Sequence, residues 1–341
     1  MNCDPEENQF IRLNNCFSTP TLANEITRKF CGAIYDDKDK LVKYSQRTQN
    51  SNNEWTTNDP DMLIRPESTR KIRGNSLYLG HYTGHYGHFL LETLSRFWIF
   101  LNSDEEFKKY DNIVFHPFLH KTPSPDKFSP AKTCFECFGL ATSKIILITE
   151  PMCFENLTVP QSFFEINYRA RKEMSGVYKK IRDFAINLHS SRVGLVNRIL
   201  GWGKDEKLQI FLSRRKTRGY RPMANERAVE RAFAKAGFKI FHPERWKFEQ
   251  QVAIFDRTEV LAGVEGSALH NSVFMKNGSR VISIGTPRVP SGDIFNQRLC
   301  DSLSGVQANF IDFKGKMAPK NRAIYDIQHI KELLPSIIKK S

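Results

Sequence analysis

Apolar runs of β type alternate with stretches of helical periodicity through much of the second half of the chain. The run "LQIFLS" (208–213) precedes "NERAVERAFAKAG" (225–237), whose apolar residues recur at helical spacing, and "FKIFH" (238–242) follows. The alternation continues through "EVLAGV", "SRVISIG" and "VQANFIDF". Strands that alternate with helices of about ten residues build βαβ units around a parallel sheet. The sequence therefore predicts an α/β fold with a Rossmann-like domain of about five strands over 205–315.

The first half of the chain is less regular. The segments "NIVFH" (112–116) and "KIILIT" (144–149) are typical of buried strands, and a basic amphipathic stretch from 166 to 190 predicts a helix. The most polar stretch, 45–61, predicts a surface loop. We therefore expect four parts: an N-terminal domain over 1–165, a helical connector over 166–204, the Rossmann-like domain over 205–315, and a C-terminal helix over 316–341 that packs back on the first domain.

The segment "GHYTGHYGHFLLETLSRFWIF" (80–100) carries a ladder of histidines. His81, His85, His88 and Glu92 follow one another at spacings of four, three and four. The glycines between them each lower helix propensity by about 1 kcal/mol relative to alanine. We therefore expect a loop from 80 to 86 and a helix that begins near Gly87 and runs to residue 101.

On that helix, His88, Glu92 and Arg96 form one ionisable stripe on a surface that is otherwise apolar. Buried charges need partners or a wet cleft. Three interpretations remain open at this point: a general base with its supporting residues at a substrate cleft, a structural His–Glu–Arg network, and a metal site. The metal site is the least favoured, because no second ligand cluster of comparable strength stands out elsewhere in the sequence.

Two segments of the Rossmann-like domain predict an anion site. The first, "SRRKTRGYR" (213–221), follows the first strand, and ligands of parallel sheets bind at the carboxyl ends of strands. Arg214 and Arg215 there are suited to gripping a diphosphate. The second, "GVEGSALHNSVF" (263–274), is a strand-to-helix turn in which Ser267 is a candidate N-cap. A solvated basic loop and an ordinary tight turn are the alternatives, but together the segments favour a nucleotide site.

The 51 Lys and Arg residues exceed the 37 Asp and Glu residues, for a net charge of +14. This excess indicates anionic partners: nucleic acid, nucleotide phosphates or an acidic membrane surface. The start, "MNCDPEENQF", lacks the pattern of a secretion signal, and no apolar run approaches the roughly 20 residues of a membrane helix. Seven irregularly spaced cysteines fit reduced thiols. We therefore expect a cytoplasmic protein, with peripheral contact to the inner face of the membrane through its basic surface.

The segments at 84–98, 211–238 and 241–285, with their order and spacing, resemble glycosyltransferase family 61. This broad group includes capsule and lipopolysaccharide enzymes and plant and animal glycan transferases. The resemblance implies a GT-B architecture, an α/β fold in which two Rossmann-like domains face a cleft. It also implies inverting, metal-independent transfer from a nucleotide diphosphate sugar. The donor would lie on the C-terminal domain and the acceptor on the N-terminal one.

The resemblance also implies roles for individual residues. Glu92 or His88 would be the catalytic base, with the other orienting it. Arg96 would pair with Glu92, and His85 would contact the acceptor or the sugar. Many members carry histidine where this chain has Glu265, which we assign to acceptor or sugar contact. The nucleotide would be bound by Ser213, Arg214, Arg215, Gly266, Ser267 and Ala268.

The sequence thus predicts an enzyme that moves a sugar from a donor, UDP-linked by our expectation, to an oligosaccharide or lipid-linked glycan. The reaction would belong to surface polysaccharide biosynthesis, of capsule or lipopolysaccharide type. It would need no cofactor and no metal, and nucleic acid is not an expected partner. The alternative is a non-catalytic basic protein that binds nucleic acid or glycan.

Overall fold

The computed structural model describes residues 9–23, 30–47, 69–103, 105–118, 122–189, 207–215 and 223–338. The chain divides into two compact units, Met1–Val177 and Tyr178–Ser341. Both contain helices packed on sheets, so the α/β class is confirmed. The predicted boundaries at 165, 204 and 315 remain predictions, and the last part of the connector, 190–204, lies outside the described residues.

The first unit is built on a mixed sheet. Its strands are β1 (Phe10–Ser18), β2 (Leu22–Ala23), β3 (Phe30–Cys31), β4 (Ile34–Tyr35), β5 (Arg70–Tyr82), β6 (Asn112–Pro117), β7 (Ile145–Leu147), β8 (Met152–Pro160), β9 (Phe164–Glu165) and β10 (Arg169–Ala170). Within the described residues, six of these form one sheet in the order β4-β1-β8-β5-β6-β7. β5, β6 and β7 run parallel to each other and to β8, whereas β1 is antiparallel to β8 and β4. β2–β3 and β9–β10 are short antiparallel pairs.

The helices of this unit are α1 (Tyr86–Leu91), α2 (Ser129–Cys137) and α3 (Met174–His189), and the unit boundary falls within α3. Short 3-10 helices occupy Lys43–Ser45, Thr93–Leu101, Glu106–Lys109, Pro125–Lys127 and Thr142–Lys144. Aromatic rings join the helices to the sheet: Phe135 of α2 stacks on Phe97 at 5.9 Å and on Phe115 of β6 at 5.7 Å. This packing gives α1 and the 93–101 helix a rigid support.

The single helix predicted from Gly87 to Leu101 is interrupted. α1 has only six residues, and a 3-10 helix of nine residues continues from Thr93. Thr93 Oγ1 donates a hydrogen bond to the carbonyl of His81 (2.8 Å), and Ser95 Oγ donates to that of Glu92 (2.6 Å). Hydroxyl groups of this kind compete with the α-helical hydrogen-bond pattern, which explains the change of helix type.

The prediction of a loop from 80 to 86 is wrong for its first residues, 80 to 82. Gly80 and His81 belong to β5, which extends to Tyr82. Gly80 has a φ of +86°, and a Cβ there would collide with the guanidinium of Arg96. Glycine is therefore needed at position 80 because the guanidinium of Arg96 approaches the strand closely, and not because the chain forms a loop there.

The second unit contains the predicted parallel sheet. Its strands are β11 (Leu208–Leu212), β12 (Lys239–Phe241), β13 (Thr258–Val264), β14 (Arg280–Ile284), β15 (Gln307–Ile311), β16 (Gly315–Ala318) and β17 (Arg322–Tyr325). In the described part of this unit, five strands are parallel, in the order β12-β11-β13-β14-β15, and β16 and β17 form a hairpin. The prediction of about five parallel strands over 205–315 is confirmed.

Helices lie in the connections between the strands of this sheet, and one follows the β16–β17 hairpin. They are α4 (Glu226–Lys235), α5 (Phe248–Asp256), α6 (Phe295–Ser304) and α7 (Ile327–Ile338), with 3-10 helices at Pro243–Arg245 and Leu269–Phe274. α7 buries Ile330 and Leu334 in the core of this same unit, together with Phe211 and Phe233. The packing of the C-terminal helix on the first domain stays a prediction, while its apolar stripe is buried in its own unit.

No helix among the described residues is long and apolar enough to cross a membrane.

Candidate functional site

The ladder residues His88 and Glu92 meet at the carboxyl end of β5. The chain leaves the strand at Tyr82, and α1 begins four residues later with His85 as its N-cap. One turn of α1 brings Nδ1 of His88 into hydrogen-bond contact with Oε2 of Glu92. The side chain of His88 is 31% exposed and that of Glu92 only 11%. The carboxylate is therefore more buried than the imidazole, and within the described residues Nε2 of His88 forms no hydrogen bond.

Arg47 completes this arrangement from a distant part of the chain. Its Nε contacts Oε1 of Glu92, and its Nη2 donates to Oε2 at 3.0 Å. The guanidinium also lies over the ring of Phe118, 4.6 Å from its centre. Arg47 is 6% exposed, although the sequence placed it in a surface loop over 45–61. That prediction is wrong for 45–47, and residues 48–61 lie outside the described residues.

The charge state of Glu92 follows from these contacts. Burial raises the pKa of its carboxyl, but the positive charge of Arg47 and the hydrogen bond with His88 outweigh burial and bring the pKa below its usual value. Glu92 is therefore an ionised, doubly paired carboxylate at neutral pH. Burial and the neighbouring His88 lower the pKa of His85, whose ring centre is 4.8 Å from that of His88. His85, His88 and Glu92 thus form one group.

Arg96 does not pair with Glu92 as predicted. It donates hydrogen bonds to the backbone carbonyls of Pro160 (3.0 Å) and Tyr44 (2.6 Å), and it lies over the ring of Tyr78 at 5.5 Å. A 3-10 helix turns by about 120° per residue and an α-helix by about 100°, so the change of helix type rotates Arg96 away from the stripe. These contacts indicate that Arg96 stabilises the packing of the segments that contain Tyr44, Tyr78 and Pro160.

His81 is likewise separated from the exposed part of the ladder. Its ring is buried and stacks on His116 at 5.6 Å. Burial and His116 hold the pKa of His81 well below its usual range, so the ring is neutral. Together with Arg47 and Glu92 it lines a cavity of about 20 Å³, room for about one water molecule. In the part of the chain that the structure describes, no group of three His, Cys, Asp or Glu is arranged to hold a metal ion.

The second group of predicted residues lies at the carboxyl ends of β11 and β13. The strand order reverses between these neighbours, which is the position where open α/β sheets bind ligands. Arg214, just after β11, donates from Nη2 to the carbonyls of Val264 (2.7 Å) and Glu265 (2.5 Å) at the end of β13. Gly266 has a φ of +135°, and a Cβ there would lie 2.8 Å from the same Nη2. The structure therefore joins the two predicted segments through Arg214.

Two acidic residues of α4, Glu226 and Glu230, were not anticipated from the sequence. Oε1 of Glu226 accepts the backbone N–H of Arg214 at 2.5 Å, and Oε1 of Glu230 accepts Ser213 Oγ at 2.6 Å and Arg215 Nε at 3.1 Å. Burial raises the pKa of Glu226. The basic cluster is thus partly compensated where it is described, and its remainder, 216–221, lies outside the described residues. The sequence of an amphipathic helix does not distinguish acidic side chains that point to solvent from those that point into the protein.

The turn after β13 also differs from expectation. Glu265 is 1% exposed and accepts a hydrogen bond from Thr286 Oγ1 (2.9 Å), so its carboxylate supports the turn from within. The following helix is a 3-10 helix of six residues whose N-cap is Ala268, with no side-chain cap, rather than Ser267. Ser267 and Ala268 remain half-buried. A 3-10 helix of six residues is too short for its dipole to bind an anion.

A family model for Glycosyltransferase 61 matches residues 86–282, more than half of the chain. The chain belongs to glycosyltransferase family 61 and is a glycosyltransferase. Its substrates are accordingly a sugar donor and a glycan acceptor. Most of the candidate residues fall within the matched stretch, whereas Arg47, His81 and His85 precede it. A search of curated proteins found no match to this chain.

Proposed function

We propose that this glycosyltransferase works by inversion without a metal, and that His88 is its general base, oriented by Glu92. The observation that carries the proposal is the series Arg47–Glu92–His88, which ends in a half-exposed imidazole. Glu92 is shielded and has a lowered pKa, which makes it a weak base. His88 contacts Glu92 through Nδ1, so Nε2 is the ring nitrogen that would take a proton. The geometry therefore favours His88 over Glu92.

In the proposed reaction, Nε2 of His88 takes the proton of an acceptor hydroxyl. The hydroxyl oxygen forms a bond to the anomeric carbon of the donor sugar while the bond from that carbon to the diphosphate oxygen breaks. The nucleoside diphosphate leaves with the electron pair, and Glu92 stabilises the imidazolium that forms. General-base assistance of this kind contributes typically about 10²–10⁴ in rate. His85, beside His88, would contact the acceptor or the transferred sugar.

The donor would bind to the second unit. We assign Ser213, Arg214, Arg215 and the turn Gly266–Ser267–Ala268 to a UDP-linked diphosphate, supported by their position at the reversal of strand order. Guanidinium groups stabilise the charge that develops on a departing diphosphate. The acceptor would bind to the first unit, in a GT-B arrangement. Since Glu265 is buried and bonded to Thr286, it would position the turn rather than touch sugar.

The acceptor would be an oligosaccharide or a lipid-linked glycan of a surface polysaccharide, capsule or lipopolysaccharide. We place the enzyme in the cytoplasm, in peripheral contact with the inner face of the membrane, which its charge of +14 would favour. No cofactor is part of the proposal. The non-catalytic alternative, a basic protein that binds nucleic acid or glycan, rests on that same charge alone.

A panel of nucleotide sugars tests the proposal by donor hydrolysis and by calorimetry. We expect hydrolysis of at least one UDP-sugar, with binding of UDP that the substitution His88→Ala leaves unchanged. Hydrolysis only of donors linked to another nucleotide would correct the donor assignment. If no nucleotide sugar binds, while RNA or DNA binds tightly and in a salt-sensitive way, the non-catalytic alternative is correct.

A further inference from the structure

A second polar cavity lies in the first unit, at the other end of β5 from His88. Its volume is about 250 Å³. A row of three asparagines lines it: Asn14 on β1, Asn156 on β8 and Asn75 on β5. Asn14 pairs with Asn156, and Asn156 pairs with Asn75, so the three residues cross adjacent strands in register. Within the described residues these three strands are interior strands of the six-stranded sheet, not its edges.

Asn14 and Asn75 are exposed and Asn156 is half-buried, so the row lies on a face of the sheet that solvent reaches. Asparagine is depleted in strands, and three asparagines in register on neighbouring strands are therefore unusual. Within the described residues, the side-chain amides of Asn14, Asn75 and Asn156 form no hydrogen bond. Each amide offers one acceptor and two donors. The sheet therefore presents a row of planar amides with their hydrogen-bonding capacity available to a ligand.

Another part of the cavity wall is formed by an acidic and an aromatic residue that are already hydrogen-bonded to each other. Glu106 and Tyr110 are each 7% exposed. Glu106 accepts hydrogen bonds from Lys109 Nζ (2.5 Å) and from the hydroxyl of Tyr110 (3.4 Å). The charge of Glu106 is thus compensated within the wall. The lining is polar without a strong excess of one charge, although Arg12 also reaches the cavity.

Such a lining selects for a neutral compound with many hydroxyl groups. Each sugar hydroxyl is both a donor and an acceptor, as each amide is, so the row can match neighbouring hydroxyls on one ring. The volume lies just below the roughly 300–1,000 Å³ of small-molecule sites, which fits one or two sugar units rather than a long chain. A phosphate or carboxylate ligand would find no cluster of unpaired cations here to hold it.

We infer that this cavity is a saccharide-binding site separate from the reaction site. Asn75 lies six positions before His81 on β5, and strands rise by about 3.3 Å per residue, so the two sites are roughly 20 Å apart. A glycan of several sugars could reach both. The site would then hold a remote part of a long glycan, and it would contribute nothing to the binding of a short acceptor or of the donor.

The inference is tested on the full chain with an array of neutral and anionic oligosaccharides. The test variant is Asn14→Ala combined with Asn156→Ala, and the control is Lys71→Ala, an exposed residue of β5 outside the cavity. We expect the unchanged protein and the control to bind the same set of neutral glycans. The double variant should bind these glycans at least tenfold more weakly, with unchanged hydrolysis of the donor.

The inference is overturned if every glycan on the array binds the folded double variant as tightly as it binds the unchanged protein. It is also overturned if the only glycans whose binding weakens are anionic. If the double variant melts at a much lower temperature than the unchanged protein, the test is made on the unchanged protein instead. In that case a bound glycan must shift the side-chain amide resonance of Asn75, identified by its loss in Asn75→Asp. Absence of that shift overturns the inference as well. Neither outcome depends on whether His88 is the base.

Discussion

At the scale of single residues, Glu92 lies between the guanidinium of Arg47 and the imidazole of His88. Arg47 holds both oxygens of its carboxylate, and His88 shares one of them. The same carboxylate therefore forms a buried pair with Arg47 and a partly exposed pair with His88, and the second pair is the one we propose to be catalytic. Because the two roles involve different partners, substitutions can separate them.

Substitution His88→Ala should lower sugar transfer by about 10²–10⁴ while changing the melting temperature little, because the ring is partly exposed. Glu92→Gln should also lower turnover, but it should destabilise the fold as well. It leaves Arg47 buried without its counter-charge, a loss of about 3–5 kcal/mol. Turnover, UDP affinity and melting temperature are measured for each variant.

The matched control is His329→Ala, a half-buried histidine on α7. It should leave transfer unchanged. Normal turnover by a folded His88→Ala variant would show that the base lies elsewhere and that the stripe is structural.

Substitution Arg47→Gln should reduce the free energy of unfolding at neutral pH by about 3–5 kcal/mol, because Glu92 loses its buried cation. The folded-state pKa of Glu92 is lowered, so its contribution to stability is present above its unfolded pKa, near 4.3, and is lost as the pH falls through the folded value. The difference between Arg47→Gln and the unchanged protein should therefore shrink in acid.

Chemical denaturation at several pH values measures this difference. Arg47→Lys, which keeps the charge but not the two-pronged contact, is the control and should lose less stability. A difference that does not vary with pH would show that Arg47 acts through packing on Phe118 rather than through charge.

At the scale of elements, helix type and strand connection position the candidate residues. The change from α1 to a 3-10 helix after Leu91 keeps His88 and Glu92 together and rotates Arg96 onto backbone carbonyls. In the second unit, the loop after β11 and the turn after β13 are joined by Arg214. A substitution that displaces either segment should therefore also displace the other.

Substitution Gly266→Ala should weaken UDP binding by about tenfold or more. The new Cβ would lie 2.8 Å from Arg214 Nη2 and would displace a guanidinium whose charged hydrogen bonds are each worth about 1.5–3 kcal/mol. Gly278→Ala is the control, because Gly278 also has a positive φ, +83°, but nothing lies within 4 Å of its added Cβ. Both variants should lose stability through backbone strain.

Calorimetry with UDP then separates the two variants. Only Gly266→Ala should lose affinity. Equal UDP affinity in both would place the diphosphate away from this turn.

At the scale of the whole molecule, the candidate base and the candidate donor residues belong to different compact units. In the proposed mechanism, the charge that stabilises a leaving diphosphate would come from arginine side chains in the second unit. We therefore expect transfer to proceed at an unchanged rate after exhaustive treatment with EDTA. If turnover is lost and Mn²⁺ or Mg²⁺ restores it, a metal ion binds the departing diphosphate, and the mechanism must be revised.

The parallel sheet of the second unit and the contact between His88 and Glu92 could both be predicted from the sequence. Each depends on short-range order: alternating periods of strand and helix define βαβ units, and residues one helical turn apart lie on the same face. The family could be identified for the same reason, since its motifs are local stretches in a fixed order.

Only the tertiary structure decided how these residues are partnered. Arg47 reaches Glu92 across 45 positions of sequence, from a stretch whose polarity predicts exposure. Glu226 and Glu230 turn inward to the arginines, and α7 packs on its own unit. Ion pairs and packing between segments distant in sequence depend on the path of the chain in space. Local periodicity does not contain that path, so it could predict which elements form but not which side chains meet.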